Sequence, residues 1–264
     1  MARLHCVGVG IELAAHITPA AQKAIADSDV VFYAASDSIF EAWMAELHPN
    51  AHSLQKFYQD GKSRKTSYQE MASEIVQALE QNQSVAAVFY GHPGVFVQPA
   101  SFAMKAAEKQ GHQVIMLPGI SAEDCLYADL NIDPGRFGCQ MYEASQFLYY
   151  QRTIDTSAYL ILWQIALVGD QSHTRFEEDK NNVQLFIEYM NQFYSLDHTV
   201  IVYEARASYF DDLRKVEIPL GQLTNVALSE KSTLVIPPST KMKRNPFFTK
   251  QEKNLKKLKL IHSR

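Results

Sequence analysis

The sequence predicts an α/β fold, and three observations carry that prediction. Short apolar runs rich in β-branched and aromatic residues, of which Val85 to Tyr90 is the clearest, have the composition of strands buried on both faces of a parallel sheet. Such runs alternate with stretches of helical character, the rhythm of strand, helix and strand units. Gly91, His92, Pro93 and Gly94 then end that clearest run abruptly in a turn, and a loop at the carboxyl end of a strand is where open α/β sheets bind ligands.

Taken in order, Leu4 to Val9 reads as a first strand running into a Gly8, Val9, Gly10 turn that lacks the third glycine of a dinucleotide fingerprint. Thr18 and Pro19 have the chemistry of an N-cap and a first helical residue, Ala20 to Ala26 continues the helix, and Val30 to Tyr33 is a second strand. Glu41 to Leu47 and Tyr68 to Leu79 read as helices, the latter with Met71, Ile75, Val76 and Leu79 spaced for one buried face. Beyond the Gly91 turn lie a second apolar run, Val95 to Val97, a helix from Ser101 to Gln110 closed by Gly111, and a strand from Val114 to Leu117. Pro118 to Ser121 forms a second turn whose serine caps a helix beginning near Ala122, and Glu123 and Asp124 sit in its first turn as capping acids. Asp133 to Gly138 is a break, after which Gly138 to Glu143, Tyr159 to Val168, Thr199 to Ala205 and Thr233 to Ile236 are apolar or strand-like, and Asn182 to Tyr194 is helical. The predicted organisation is one α/β domain over 1–118, a second over 119–240, and a basic tail over 241–264.

Composition narrows the function classes. The chain has 264 residues, 47% hydrophobic and 20% charged, enough to bury a sizeable core. A formal net charge of -4 argues against a nucleic-acid-binding protein, and no run approaches the roughly 20 apolar residues of a membrane span. The start shows no export signal. Cys6, Cys125 and Cys139 are odd in number and lack metal-ligand spacing, which predicts reduced thiols in a cytoplasmic protein and no metal site.

Two segments stand apart. Phe57 to Tyr68, FYQDGKSRKTSY, sets Lys62, Arg64 and Lys65 between tyrosines around an Asp60, Gly61 turn, and reads as a basic loop able to fold over a cleft. A phenol has a reference pKa of about 10, and a neighbouring cation favours its phenolate, a strong base. From Lys241 the chain turns basic, with Lys243, Arg244, Lys250, Lys253, Lys256, Lys257, Lys259 and Arg264 against a lone acid, Glu252. That tail reads as a solvated end or as a docking arm for a partner.

GVGIE at Gly8 to Glu12, YGHPGVFV at Tyr90 to Val97 and LPGISAEDCLYADLNIDP at Leu117 to Pro134 together resemble the tetrapyrrole methylase superfamily of S-adenosylmethionine enzymes. Within it, FYQDGKSRKTSY, the His-Pro turn, SAEDCLYADL and the YEAS of Tyr142 to Ser145 look like the borosin peptide backbone α-N-methyltransferases. The resemblance implies two α/β domains with the methyl donor, S-adenosylmethionine, in the cleft between them. It also implies cofactor contacts from Tyr90, His92, Pro93, Gly94, Val95 and Phe96, from Ser121 and Ala122, from Gln164 and Ala205, and from Ser232 and Thr233. Tyr58, Arg64 and Tyr68 fall on the family's catalytic set, with Tyr90 as a further active-site tyrosine; Gln55 stands where the fused fungal enzymes have another.

The same resemblance implies a homodimer. Because no apolar core peptide follows the basic tail, it points to the split members, whose acceptor is a separate precursor peptide. The chemistry expected is removal of an amide proton by a phenolate of Tyr58 or Tyr68, kept ionised by Arg64, the remaining phenol or the guanidinium stabilising charge on the carbonyl oxygen. Two rival readings share the donor site: a methylase of a tetrapyrrole or other small molecule, and a donor-binding module without catalysis.

Overall fold

The computed structural model describes residues 2–34, 38–59, 61–81, 83–170, 177–208 and 210–252. Strands β1 (Arg3–Gly8), β2 (Val30–Ala34), β3 (Ala51–Ser53), β4 (Val85–Phe89) and β5 (Gln113–Leu117) form one wholly parallel sheet in the order β3-β2-β4-β1-β5. Helices α1 (Pro19–Ala26) and α2 (Ser38–Leu47) pack on one face, and α3 (Arg64–Glu80) and α4 (Gln98–Lys109) on the other. β4 lies between β1 and β2 with all five residues buried, which explains its unbroken apolar sequence.

The second half builds a separate sheet. It follows α5 (Ala122–Leu130) and α6 (Pro134–Phe137), and carries α7 (Ala144–Tyr149) and α8 (Lys180–Met190). Its strands β6 (Cys139–Glu143), β7 (Tyr159–Trp163), β8 (Thr199–Glu204), β9 (Arg214–Pro219) and β10 (Thr233–Ile236) run in the order β6-β7-β10-β8-β9. Only the β6 and β7 pair is parallel; the remaining pairs are antiparallel. This is an α/β fold built on two sheets.

Several boundaries differ from the sequence reading, each for a local reason. The basic loop ends early, because α3 begins at Arg64 and not at Tyr68. Ser63 adopts the extended N-cap conformation, Lys62 turns back to donate to the Phe57 carbonyl and pairs with Glu70, and Ser67 is buried in the first turn. Charged composition concealed that turn of helix. The apolar run Val95 to Val97 forms a turn, with Phe96 at φ 57° and Val97 leading into α4, which has Pro99 in its first turn. The run from Tyr159 breaks at Gln164, which is left-handed at φ 56°, and continues as a 3₁₀ turn, Ile165–Leu167. Asp60 lies outside the described residues.

Candidate active site

Three turns meet at the carboxyl ends of β1, β4 and β5, and backbone contact makes two of their glycines obligatory. A Cβ on Gly119 would stand 2.3 Å from the Gly91 carbonyl oxygen and 2.8 Å from the Gly8 carbonyl carbon, and one on Gly8 would meet Pro93 Cδ at 2.7 Å. Gly8 is therefore a packing residue, which is why its GxG needs no nucleotide. Gly91 N–H donates to the Gly10 carbonyl at 2.8 Å, and Gly10 N–H returns a bond at 3.2 Å. The turn after β4 is held from within, with Gly94 N–H donating to His92 Nδ1 at 2.9 Å and Val95 N–H to the His92 carbonyl at 3.0 Å.

Above these turns a cavity of about 330 Å³ opens between the two sheets. From the first half its wall takes Tyr58, Tyr68, Tyr90, His92, Val95 and Phe96, and from the second Ser121, Ala122, Gln164, Ala205 and Thr233. Arg64, Pro93, Gly94 and Ser232 are not among the residues that line the cavity. Ser121 caps α5 through a reciprocal pair: Asp124 N–H donates to Ser121 Oγ at 3.4 Å, and Ser121 N–H donates to Asp124 Oδ2 at 2.7 Å. The capping role read for Asp124 is thus the observed one, whereas Glu123 faces the cavity and accepts from the Tyr127 hydroxyl at 2.9 Å.

Ser232 is fully buried and donates its hydroxyl to Glu204, while its carbonyl accepts from Ile165 N–H at 3.1 Å. It joins the Gln164 turn to the start of β10. Glu204 also accepts from Arg214 Nη1 at 2.6 Å and from Ser229 Oγ at 2.7 Å. Burial alone would raise its pKa, but the bonds from Ser232 and Ser229 together with the Arg214 guanidinium hold the carboxyl below its usual range. A depressed folded pKa gives stability that is present above the unfolded value of about 4.3 and lost as pH falls through the folded value. Glu204→Gln should therefore lower stability by about 2 kcal/mol at neutral pH. In thermal melts at several pH values, the gap between the two proteins closes in acid; a constant gap would contradict this.

Tyr58 follows a 3₁₀ turn, Gln55–Phe57, and Tyr68 lies one helical turn beyond Arg64 in α3. The two tyrosine rings meet edge to face, with centroids 6.2 Å apart. Arg64 Nη2 lies 3.7 Å from Asp170 Oδ2. This corrects the expected electrostatics. Although Tyr58 keeps 37% of its surface open, burial of its hydroxyl, the charge of and hydrogen bond to Tyr68, and Glu230 across the cleft outweigh Arg64 and push the phenol well above its ordinary pKa. These surroundings favour the neutral phenol of Tyr58 over a phenolate held by Arg64.

Sequence reasoning missed Trp163, Tyr203, Glu123, Glu230 and Lys231 in the cavity wall. A signal existed for one: Tyr203 lies two residues before Ala205 in the apolar run read from Thr199, and alternate residues of an extended run share a face. Tyr203 is buried and donates to Asp129 at 2.7 Å. Trp163 packs against Phe96 with centroids 6.3 Å apart, where Phe96 itself and Gln164, next to Trp163, are left-handed. Among the described residues, no group of three or more His, Cys, Asp and Glu side chains could hold a metal ion, and no helix is long and apolar enough to cross a membrane.

The family model for tetrapyrrole (corrin/porphyrin) methylases matches residues 3–224. The chain belongs to this family. Its members are S-adenosylmethionine-dependent methyltransferases. Curated relatives of the methylase chain include a methyltransferase and cyclic peptide gymnopeptides precursor of Gymnopus fusipes, 36% identical over 89% of this chain and 57% of that protein. Another is a methyltransferase and type III borosin cyclic peptide precursor of Anomoporia bombycina, 40% identical over 77% of this chain and 24% of that protein. The chain thus spans little more than half the length of the first, and a quarter of the second. Among solved structures, diphthine synthase matches with a TM-score of 0.64 at 16% identity, covering 91% of this chain and 92% of that one. Cobalt precorrin-4 methyltransferase matches at 0.63 and 16%, covering 89% and 94%. At these identities the methylase structures show the shared fold and nothing finer.

Proposed function

We propose that this methylase transfers methyl groups from S-adenosylmethionine to backbone amide nitrogens of a peptide. The observation that carries the reading is the Tyr58 and Tyr68 pair at the edge of the donor-sized cavity, with Arg64 behind it. A tetrapyrrole methylase would need the same cavity but not this pair. The relatives named as both methyltransferase and peptide precursor support the same substrate class.

The residues present fit the donor. Phe96, Trp163 and Ala205 offer apolar faces for a purine, and the Tyr90 ring with the Glu123 and Glu230 carboxylates suits a cation. His92, Val95, Gln164 and Thr233 would complete its contacts, with Pro93, Gly94, Ser121, Ala122 and Ser232 shaping the wall. The bound donor supplies the electrophilic methyl group.

The chain's residues handle the amide. Its nitrogen is a poor nucleophile because the lone pair is delocalised into the carbonyl. The neutral Tyr58 hydroxyl is suited to donate to the acceptor's carbonyl oxygen, stabilising charge that develops there. Tyr68, one turn from Arg64 on α3, would receive the amide proton as its phenolate and become the neutral phenol. Holding the acceptor nitrogen against the bound donor would supply much of the remaining acceleration.

The acceptor in this proposal is a separate peptide, the enzyme a cytoplasmic homodimer, and the domains divide near residue 118. Incubating the protein with donor and an acceptor peptide carrying an apolar stretch should raise the peptide's mass by one methylene per transfer. An unmodified peptide with a methylated tetrapyrrole would instead favour the rival substrate.

The basic tail belongs to the same proposal as a docking arm. Its described part exposes Met242, Phe247 and Phe248 beside Lys241, Lys243, Arg244 and Lys250, while Lys253, Lys256, Lys257, Lys259 and Arg264 lie outside the described residues. Truncation after Ser239 should raise the apparent KM for an acidic peptide, an effect that fades as salt screens the charges. An unchanged KM at low salt would remove the tail from substrate binding.

A further inference from the structure

We propose that Asp170 is the positioning residue for Arg64, tying the catalytic helix of the first sheet to the donor-contact turn of the second. This deepens the peptide-methylation reading and rests on it. Arg64 opens α3, where the positive end of the helix dipole disfavours a cation, so a fixed guanidinium there requires an opposing charge. Asp170 provides it. Its carboxylate is 8% exposed, the Arg64 side chain 16%, and their closest atoms are 3.7 Å apart, an ion pair shielded from water and little weakened by salt.

Asp170 is itself rigidly placed. Its N–H donates to the Leu167 carbonyl at 3.0 Å, and that carbonyl also accepts from the buried Ser145 hydroxyl at 2.7 Å. Leu167 ends the 3₁₀ turn that follows Gln164 on the cavity wall, and Gly169, left-handed at φ 77°, precedes Asp170. Tyr149 lies near enough to feel the charge of this carboxylate. A displacement of the Gln164 turn is thereby carried to Arg64, and through α3 to Tyr68 one turn along.

Two measurements test this. In nitrogen-labelled protein, the Arg64 guanidinium protons, assigned by their loss in Arg64→Lys, should give resolved signals in the wild type that Asp170→Asn collapses and Asp170→Glu partly restores. In single-turnover methylation at saturating donor and peptide, Asp170→Asn should be about tenfold slower or more, with donor affinity kept. The double variant should be no slower than Arg64→Lys alone. An unchanged Arg64 signal, or fully additive losses in the double variant, would overturn the proposal. If the wild type methylates no peptide, the functional reading fails while the guanidinium signals still decide the link between Asp170 and Arg64.

Discussion

Tyr68→Phe should lower the single-turnover methylation rate by about 100-fold or more while leaving donor affinity unchanged, and Tyr58→Phe should do the same. Each change removes one hydroxyl and almost no volume, and the rings keep their edge-to-face contact, so the fold has no reason to yield. Arg64→Lys keeps the charge but loses the planar fork facing Asp170, and falls with them. The comparison belongs at saturating donor and peptide, where losses of binding drop out. Calorimetric titration with donor supplies the control. Wild-type rates in all three variants would reduce Phe57 to Tyr68 to a structural connection, and the mechanism would go with it.

Gly119→Ala should have the largest effect on the donor site and on stability together. The added methyl would lie 2.3 Å from the Gly91 carbonyl oxygen and 2.8 Å from the Gly8 backbone, and no flexible side chain is there to give way. Backbone must move instead, at a cost of about 3 kcal/mol or more. For a chain of this size that is roughly a 10 °C fall in Tm. Any shift of the Gly91 to Gly94 turn also displaces His92 and Val95 from the cavity wall, so donor affinity should fall with stability. An unaltered Tm and affinity would mean the three turns are not in contact.

Much of the first sheet was legible because its strands are short, apolar and buried on both faces, a pattern with few other uses. β4 and β5 emerge at or near their predicted bounds, and Thr18 and Ser121 cap helices as their chemistry suggested. Other elements left weaker marks. β9 alternates exposed and half-buried residues at the sheet edge, and α7 depends on Glu143 accepting from Ser145 and Gln146 N–H groups, a cap with no apolar period behind it. At the site, most residues named by the motif resemblance line one cavity while Arg64, Pro93, Gly94 and Ser232 do not, and their division of labour was not readable. Whether Ser232 faces a ligand or Glu204, and whether Arg64 serves Tyr58 or Asp170, depends on partners 28 and 106 residues away in the chain. Burial, which raises the Tyr58 pKa, is likewise a property of the assembled fold and not of a local pattern.

The most direct measurement is the position of the transferred group. An acceptor peptide incubated with the wild-type protein and donor labelled with deuterium in its methyl group, then fragmented in the mass spectrometer, should carry the label in its backbone ions at amide nitrogens, with side chains unlabelled. Label on a side chain, or on a tetrapyrrole with the peptide untouched, would contradict the account.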